Sequence, residues 1–197
     1  WIFPMMISSA GQPYTRIVPE SCAFSIRSFK AQAAHGAETG VKKTDMFRVP
    51  PQDLYEEEGF NQRDYNSPEC VAQIEGFAKA YAAGEYVPPL VVRIDPSNGH
   101  KLIVEGHQRR RGALLAISRG VELPLLDCLP FRGNDVDRIV VQGRSERGLK
   151  LTPLGLSKLY LMLHRKGLSN AEIATRMDVS VTTVESMLSL AEAPSDV

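Results

Sequence analysis

The segment Leu102-Ile103-Val104-Glu105-Gly106-His107-Gln108-Arg109-Arg110-Arg111-Gly112-Ala113-Leu114-Leu115 limits what this chain can fold into more than any other stretch. The apolar run predicts a short strand, the glycine interrupts it, and three arginines open a stretch that turns apolar at helical spacing. A strand that turns at glycine into a helix aims the first backbone N–H groups of that helix outward, and the helix dipole adds partial positive charge there. Arginines at the same end can clamp phosphate oxygens in pairs, which makes the segment a candidate cradle for a nucleotide's phosphates. The competing reading is a plain arginine-rich helix start. The dipole mildly disfavours cations at that end, and three adjacent arginines cannot all face one way.

Four elements together carry a family resemblance. Gly106-His107-Gln108-Arg109-Arg110-Arg111-Gly112 resembles the phosphate-binding Gly-Glu-Arg-Arg-x-Arg-Ala box of the ParB family, DNA-partition proteins that bind CTP. Phe60-Asn61-Gln62-Arg63 resembles the Asn-Pro-Arg box of the same fold, and Pro88-Pro89-Leu90-Val91-Val92-Arg93 its Pro-Ile-x-Val-Arg strand. Leu151-Thr152-Pro153-Leu154 resembles the start of its helical DNA-binding domain. Order and spacing fit over residues 44 to 194. The resemblance implies an α/β domain of the ParB/sulfiredoxin kind, a small mixed sheet with helices, followed by an all-α helix-turn-helix domain. It implies nucleotide contacts from Asn61, Gln62, Arg63, Gly106, His107, Gln108, Arg109, Arg110 and Arg111, with CTP or a related nucleotide as cofactor and Mg²⁺ as its accompanying ion where one is used. As partners it implies DNA, a partition-type ATPase and a second copy in a homodimer or clamp, whose dimerisation domain would follow Val197. The setting it implies is plasmid, phage or chromosome partition, or gene regulation, in the cytoplasm at the nucleoid or a plasmid.

Composition narrows the remainder. The 197 residues suffice for one or two small domains, and 43% hydrophobic content is that of a globular protein. Lys+Arg and Asp+Glu both number 23, so no global positive field favours nucleic acid and any such binding must come from local patches. Cys22, Cys70 and Cys128 are odd in number and far apart, which suits a reducing cytoplasm rather than a disulfide framework or a metal cluster. No apolar run is long enough to span a bilayer, so no membrane partner is expected. Trp1 to Met6 are apolar but too few for a signal-peptide core, and the absence of an initial methionine suits a processed or trimmed chain. Residues 1–44 lack clear periodicity and read as an N-terminal extension without an assigned role.

Residues 45–130 read as the nucleotide-binding α/β domain. Met46 to Val49 predict a strand halted by Pro50-Pro51, and Glu56-Glu57-Glu58 a solvated acidic turn. Ser67-Pro68-Glu69 starts a helix carrying Val71, Ile74, Phe77, Ala78 and Tyr81, with Gly84 as its stop. Strands follow at Leu90–Ile94 and Lys101–Val104 around the turn Asp95-Pro96-Ser97-Asn98-Gly99, then a helix to about Arg119 and a strand over Leu123–Leu129. Residues 131–150, rich in charge and glycine, predict a linker. Residues 151–197 predict helices only. Thr152-Pro153 starts the first, Ser169-Asn170-Ala171-Glu172 is a capping box, and Ser180 caps a last helix after the tight turn at Asp178-Val179. This is the helix-turn-helix pattern, with Ser169, Ser180, Thr182, Thr183 and Ser186 as DNA contacts; the competing reading is an αα-hairpin used only for packing.

The chain departs from the family pattern in three places. His107 and Gln108 stand where the box has glutamate and arginine, leaving Arg109 and Arg111 on the family's basic positions. Gln142 stands where a second box places a carboxylate near magnesium, and an uncharged amide is the poorer Mg²⁺ ligand, so CTP hydrolysis should be slow or absent. The last helix has no Lys or Arg in Ser180–Ser186. Non-specific affinity grows with phosphates neutralised, so this module alone should bind DNA weakly. The sulfiredoxin chemistry needs a cysteine in the box, where this chain has His107. His107 reads as a solvated or phosphate-contacting residue, with a general-base role as the alternative. Two rival functions remain. One is a ParB-like nuclease, for which Glu105 and Asp127 are the nearby carboxylates; the other is a non-catalytic adaptor that keeps the fold for protein contacts.

Overall fold

The computed structural model describes residues 29–34, 36–40, 42–144 and 150–192. The chain divides into two compact units, 1–44 and 45–197. The described part of the first holds two short helices, α1 (Phe29–Ala34) and α2 (Gly36–Thr39).

The second unit begins with a five-stranded mixed sheet: β1 (Phe47–Val49), β2 (Leu54–Tyr55), β3 (Leu90–Ile94), β4 (Lys101–Glu105) and β5 (Leu126–Pro130), in the order β1-β5-β3-β4-β2. β3 and β4 form the antiparallel hairpin that the turn residues predict. Asp95 accepts from the Ser97 N–H and hydroxyl, and Gly99 takes φ 76°, which suits a residue without Cβ. β5 runs parallel to β3 and antiparallel to β1, and β2 runs parallel to β4. Alternate residues bury one face: Val49, Leu54, Leu90, Val92, Ile103, Leu126 and Cys128 form a core with Ala113.

Helix α3 (Pro68–Ala82) starts as expected, with the Ser67 hydroxyl accepting from the Cys70 N–H. Helix α4 (His107–Ser118) packs on it. Gly112 permits that approach, since a Cβ there would lie 2.5 Å from Phe77 Cβ and 2.9 Å from the Ile74 carbonyl oxygen.

The stretch 131–150, expected as a linker, instead contains helix α5 (Asp135–Arg144). Asn134 and Asp137 cap it reciprocally, each side chain accepting from the other's backbone N–H at 2.9 Å. Ile139, at 2% exposure, joins a second core with Phe60 and with Leu159, Tyr160, Leu163, Ile173, Ala174, Met177 and Val184 from α6 (Pro153–Arg165), α7 (Asn170–Met177) and α8 (Val181–Glu192). A Cβ at Gly143 would lie 2.5 Å from Met177 Cε, so α5 lies against the last helices at close range. Arg138 is buried on α5, over the Phe60 ring at 4.2 Å, and pairs with Glu57 and Asp135. The acidic turn is therefore only partly solvated: Glu57 holds Arg138, and the half-buried Glu56 holds Arg110 and Arg111. The helix-turn-helix is thus packed on α5 and the Phe60 loop.

Candidate nucleotide and DNA sites

β4 passes into α4 through Gly106, which takes φ 108°. A Cβ there would lie 2.8 Å from Leu90 Cγ and 3.2 Å from Arg109 Cζ, so both conformation and space require glycine. No side chain caps α4 at this end. Beside the turn is a cavity of about 40 Å³, lined in part by Asn61, Arg63, Gly106, His107, Gln108 and Arg109. That is room for a few waters or one end of a ligand. It abuts an open groove of about 980 Å³ that shares Arg63, Glu105 and Gln142 with it, and specific ligand sites run to about 300–1,000 Å³.

The inner cavity is polar and unsatisfied. His107 Nε2, both amide atoms of Gln142 and Gln73 Oε1 are buried without a hydrogen-bond partner. Buried polar atoms in native proteins nearly always bond to protein, water or a ligand, so these atoms are available to whatever occupies the cavity. Gln73, which sequence reasoning missed, reaches the cavity from α3, where only its polar side chain amid apolar neighbours could have marked it. Burial pushes the His107 pKa down to about 4; Arg111, Arg63 and Arg110 push the same way, against Glu56. His107 is 4% exposed, so the solvated reading fails, and so weak a base does not suit general-base work near neutrality.

The three arginines depart from the phosphate-clamp expectation because each already has partners. Arg109 donates to the Pro88 and Pro89 carbonyls at 2.8 and 2.6 Å and pairs with Glu105. Arg110 donates to the Pro51 carbonyl and pairs with Glu56. Arg111 pairs with Glu56 at 2.7 Å and stacks on the Tyr65 ring at 3.5 Å. Gln62 also turns elsewhere, donating to the Gly59 carbonyl and to Met162 Sδ. Arg63 is different. It lines both cavities and has no ion pair among the described residues. The carboxylates of the nuclease reading are likewise occupied separately, Glu105 by Arg109 and Asp127 by Arg48.

In the last helices, Ser169 completes its capping box with Glu172. The Ser180 hydroxyl caps α8 by accepting from the Thr183 N–H, and lies 2.8 Å from the Thr182 and Thr183 hydroxyls. The Ser186 hydroxyl donates to the Thr182 carbonyl. Thr182, Glu185 and Ser186 are exposed on α8. Arg176 and Lys166 are paired to Asp137 and Asp135 of α5.

Among solved structures, the chain is similar to the C-terminally truncated chromosome-partitioning protein ParB from Caulobacter crescentus complexed to the centromeric parS site, with TM-score 0.51 and 19% identity over 76% of this chain and 73% of that one. The chain has the ParB fold. The same truncated ParB complexed with CTP-γ-S gives TM-score 0.42 and 19% identity over 77% and 81% of the two chains. A Pnob8-like ParB-N domain gives 0.47 and 11% over 73% and 68%. Residues 153–193 of this ParB-like chain match the family model described as Sigma-70, region 4. No curated protein matches it. No helix among the described residues is long and apolar enough to cross a membrane.

Proposed function

We propose that this chain is a ParB-like DNA-binding protein whose hold on DNA is governed by a nucleotide, CTP or a relative, bound in the groove beside Gly106. The observation that carries the reading is the composition of the groove walls. Arg63 and Glu105 line it from the α/β layer, Gln142 and Arg144 from α5, and Leu156, Met177 and Asp178 from the last helices. A ligand there touches the elements that place α8, and a ligand that binds two arrangements of those elements unequally shifts the balance between them. The ParB motifs supply the ligand class, and the fold shared with a parS-bound ParB supplies DNA as the partner. In this reading Arg63, Asn61, His107 and the N–H groups opening α4 contact the nucleotide, and Arg109 holds the frame. The exposed face of α8 meets DNA, in a homodimer or clamp at cytoplasmic DNA, for partition with a partner ATPase or for gene regulation.

The test is paired. Calorimetry with CTP, ATP, GTP and UTP looks for binding, and anisotropy on a selected DNA site is run with and without each nucleotide. One nucleotide is expected to bind and to change DNA affinity or dissociation rate. Absence of heat with all four, with DNA present, refutes nucleotide control. DNA binding that survives without any nucleotide response leaves a plain DNA-binding protein.

A further inference from the structure

The magnesium ion that the ParB resemblance places beside its nucleotide does not fit these walls. Among the described residues no three His, Cys, Asp or Glu side chains gather as a cation site. Glu105, the carboxylate nearest the Gly106 turn, is neutralised by Arg109. Of the stretch 141–146 that resembles the ion-side box, Gln142 on α5 brings an uncharged amide, buried and unpartnered at 6% exposure, and Glu146 lies outside the described residues. Mg²⁺ is ordinarily held by one or two carboxylates together with substrate phosphates. Among the described residues the one other carboxylate on the groove is Asp178, at the turn between α7 and α8. Against it stand Arg63, Arg144 and Lys150, which line the groove and make no ion pair among the described residues. Among the described residues the local balance is a surplus of positive charge, which repels a divalent cation and attracts a polyanion.

Resting on the nucleotide reading above, we infer that this groove holds a polyphosphate without a divalent cation. Arg63, Arg144 and Lys150 take up the charge, the Gln142 amide N–H and the His107 ring reach the phosphate or sugar oxygens, and the Gln73 and Gln142 amide oxygens accept from sugar hydroxyls. At the deep end the Gln142 N–H groups can bond phosphate or sugar oxygens, while an amide oxygen can only accept, as from a sugar hydroxyl.

Calorimetry on the full chain, with CTP, ATP, GTP, UTP and inorganic tripolyphosphate in excess EDTA and in Mg²⁺, tests this. The dissociation constant of the best-binding nucleotide is expected to agree between the two buffers within about threefold. Loss of binding by about tenfold or more in EDTA overturns the metal-free inference and leaves the nucleotide reading standing. No heat with any nucleotide in either buffer overturns both. Arg63→Ala is expected to weaken binding by about tenfold or more in EDTA, and an unchanged constant counts against the inference. The sharper variant is Gln142→Glu, which is expected to bind poorly in EDTA and to recover when Mg²⁺ is added. Gln142→Glu that binds equally in both buffers overturns the assignment of that position. Its melting curve is compared with that of Gln142→Ala, and should the variants fail to fold the wild-type pair of buffers still decides whether a divalent cation is needed.

Discussion

Arg109 shows how far a residue's neighbours can redirect its chemistry. Its guanidinium answers two proline carbonyls and Glu105, and the Arg109 and Glu105 side chains are 6% and 18% exposed. Removing one member of a buried pair leaves the other uncompensated, which costs about 3–5 kcal/mol. Arg109→Ala should fall near the lower end, since Glu105 keeps some contact with water. Arg109→Lys should not restore the loss, because an ammonium lacks the planar fork that reaches three acceptors at once. Urea denaturation measures both, and a stable Arg109→Ala that merely loses nucleotide would return the residue to the phosphate role. His107 gives a second prediction. Its folded pKa, about 4, lies below the unfolded 6.5, so the unfolded chain binds more protons between those values. The stability contribution is therefore complete above pH 6.5 and is lost as pH falls toward 4, a drop of a few kcal/mol in order of magnitude at about 1.4 per pKa unit. Denaturation at pH 7 and pH 5 should show a larger loss for wild type than for His107→Gln; equal losses would mean that His107 titrates as it does in water. The arginine run was plain in the sequence, but its partner Glu56 lies 55 residues from Arg111, and no local pattern announces such a pairing.

At the scale of elements, legibility followed local signals. The hairpin of β3 and β4 was readable from its turn, and α3, α6 and α7 from their caps, because those features occupy adjacent residues. β2 is two residues long and too short for any alternation to register. Helix α5 was hidden by charge and glycine, although Asn134-x-x-Asp137 and the spacing of Val136, Ile139, Val140 and Gly143 marked it. Much of its charge is paired: Arg138 is buried, and Asp135 and Asp137 hold partners from other elements. The glycines are where packing is closest. Gly112→Ala should gain about 1 kcal/mol in helix propensity yet destabilise overall, by about 1–3 kcal/mol. The added methyl meets the Ile74 carbonyl oxygen at 2.9 Å and the Ala78 nitrogen at 3.1 Å, backbone atoms that move only with α3 itself. A chemical-denaturation midpoint at or above wild type would show that α3 and α4 are not locked together at this point.

For the whole molecule, the proposed DNA-binding role sets DNA against the chain's own acids for the same cations. Residues 151–192 carry Lys158, Arg165, Lys166 and Arg176, and two of these four are held by α5. With no Lys or Arg on the exposed start of α8, the last helices have little with which to release counterions from DNA, which argues for weak binding through them and a shallow salt dependence. Asp137→Asn tests whether α5 withholds that charge. The amide keeps an acceptor for the Asn134 N–H, so the start of α5 should survive, while Arg176 loses its ion pair. If Arg176 then turns to phosphate, the slope of log affinity against log salt should steepen by about 0.9, the value for one added contact on duplex DNA. Arg176→Ala should keep the wild-type slope. Anisotropy titrations across salt, on a selected site and a scrambled control, separate the cases. An unchanged slope for Asp137→Asn would mean that Arg176 faces away from the duplex and that its pairing with α5 serves packing alone.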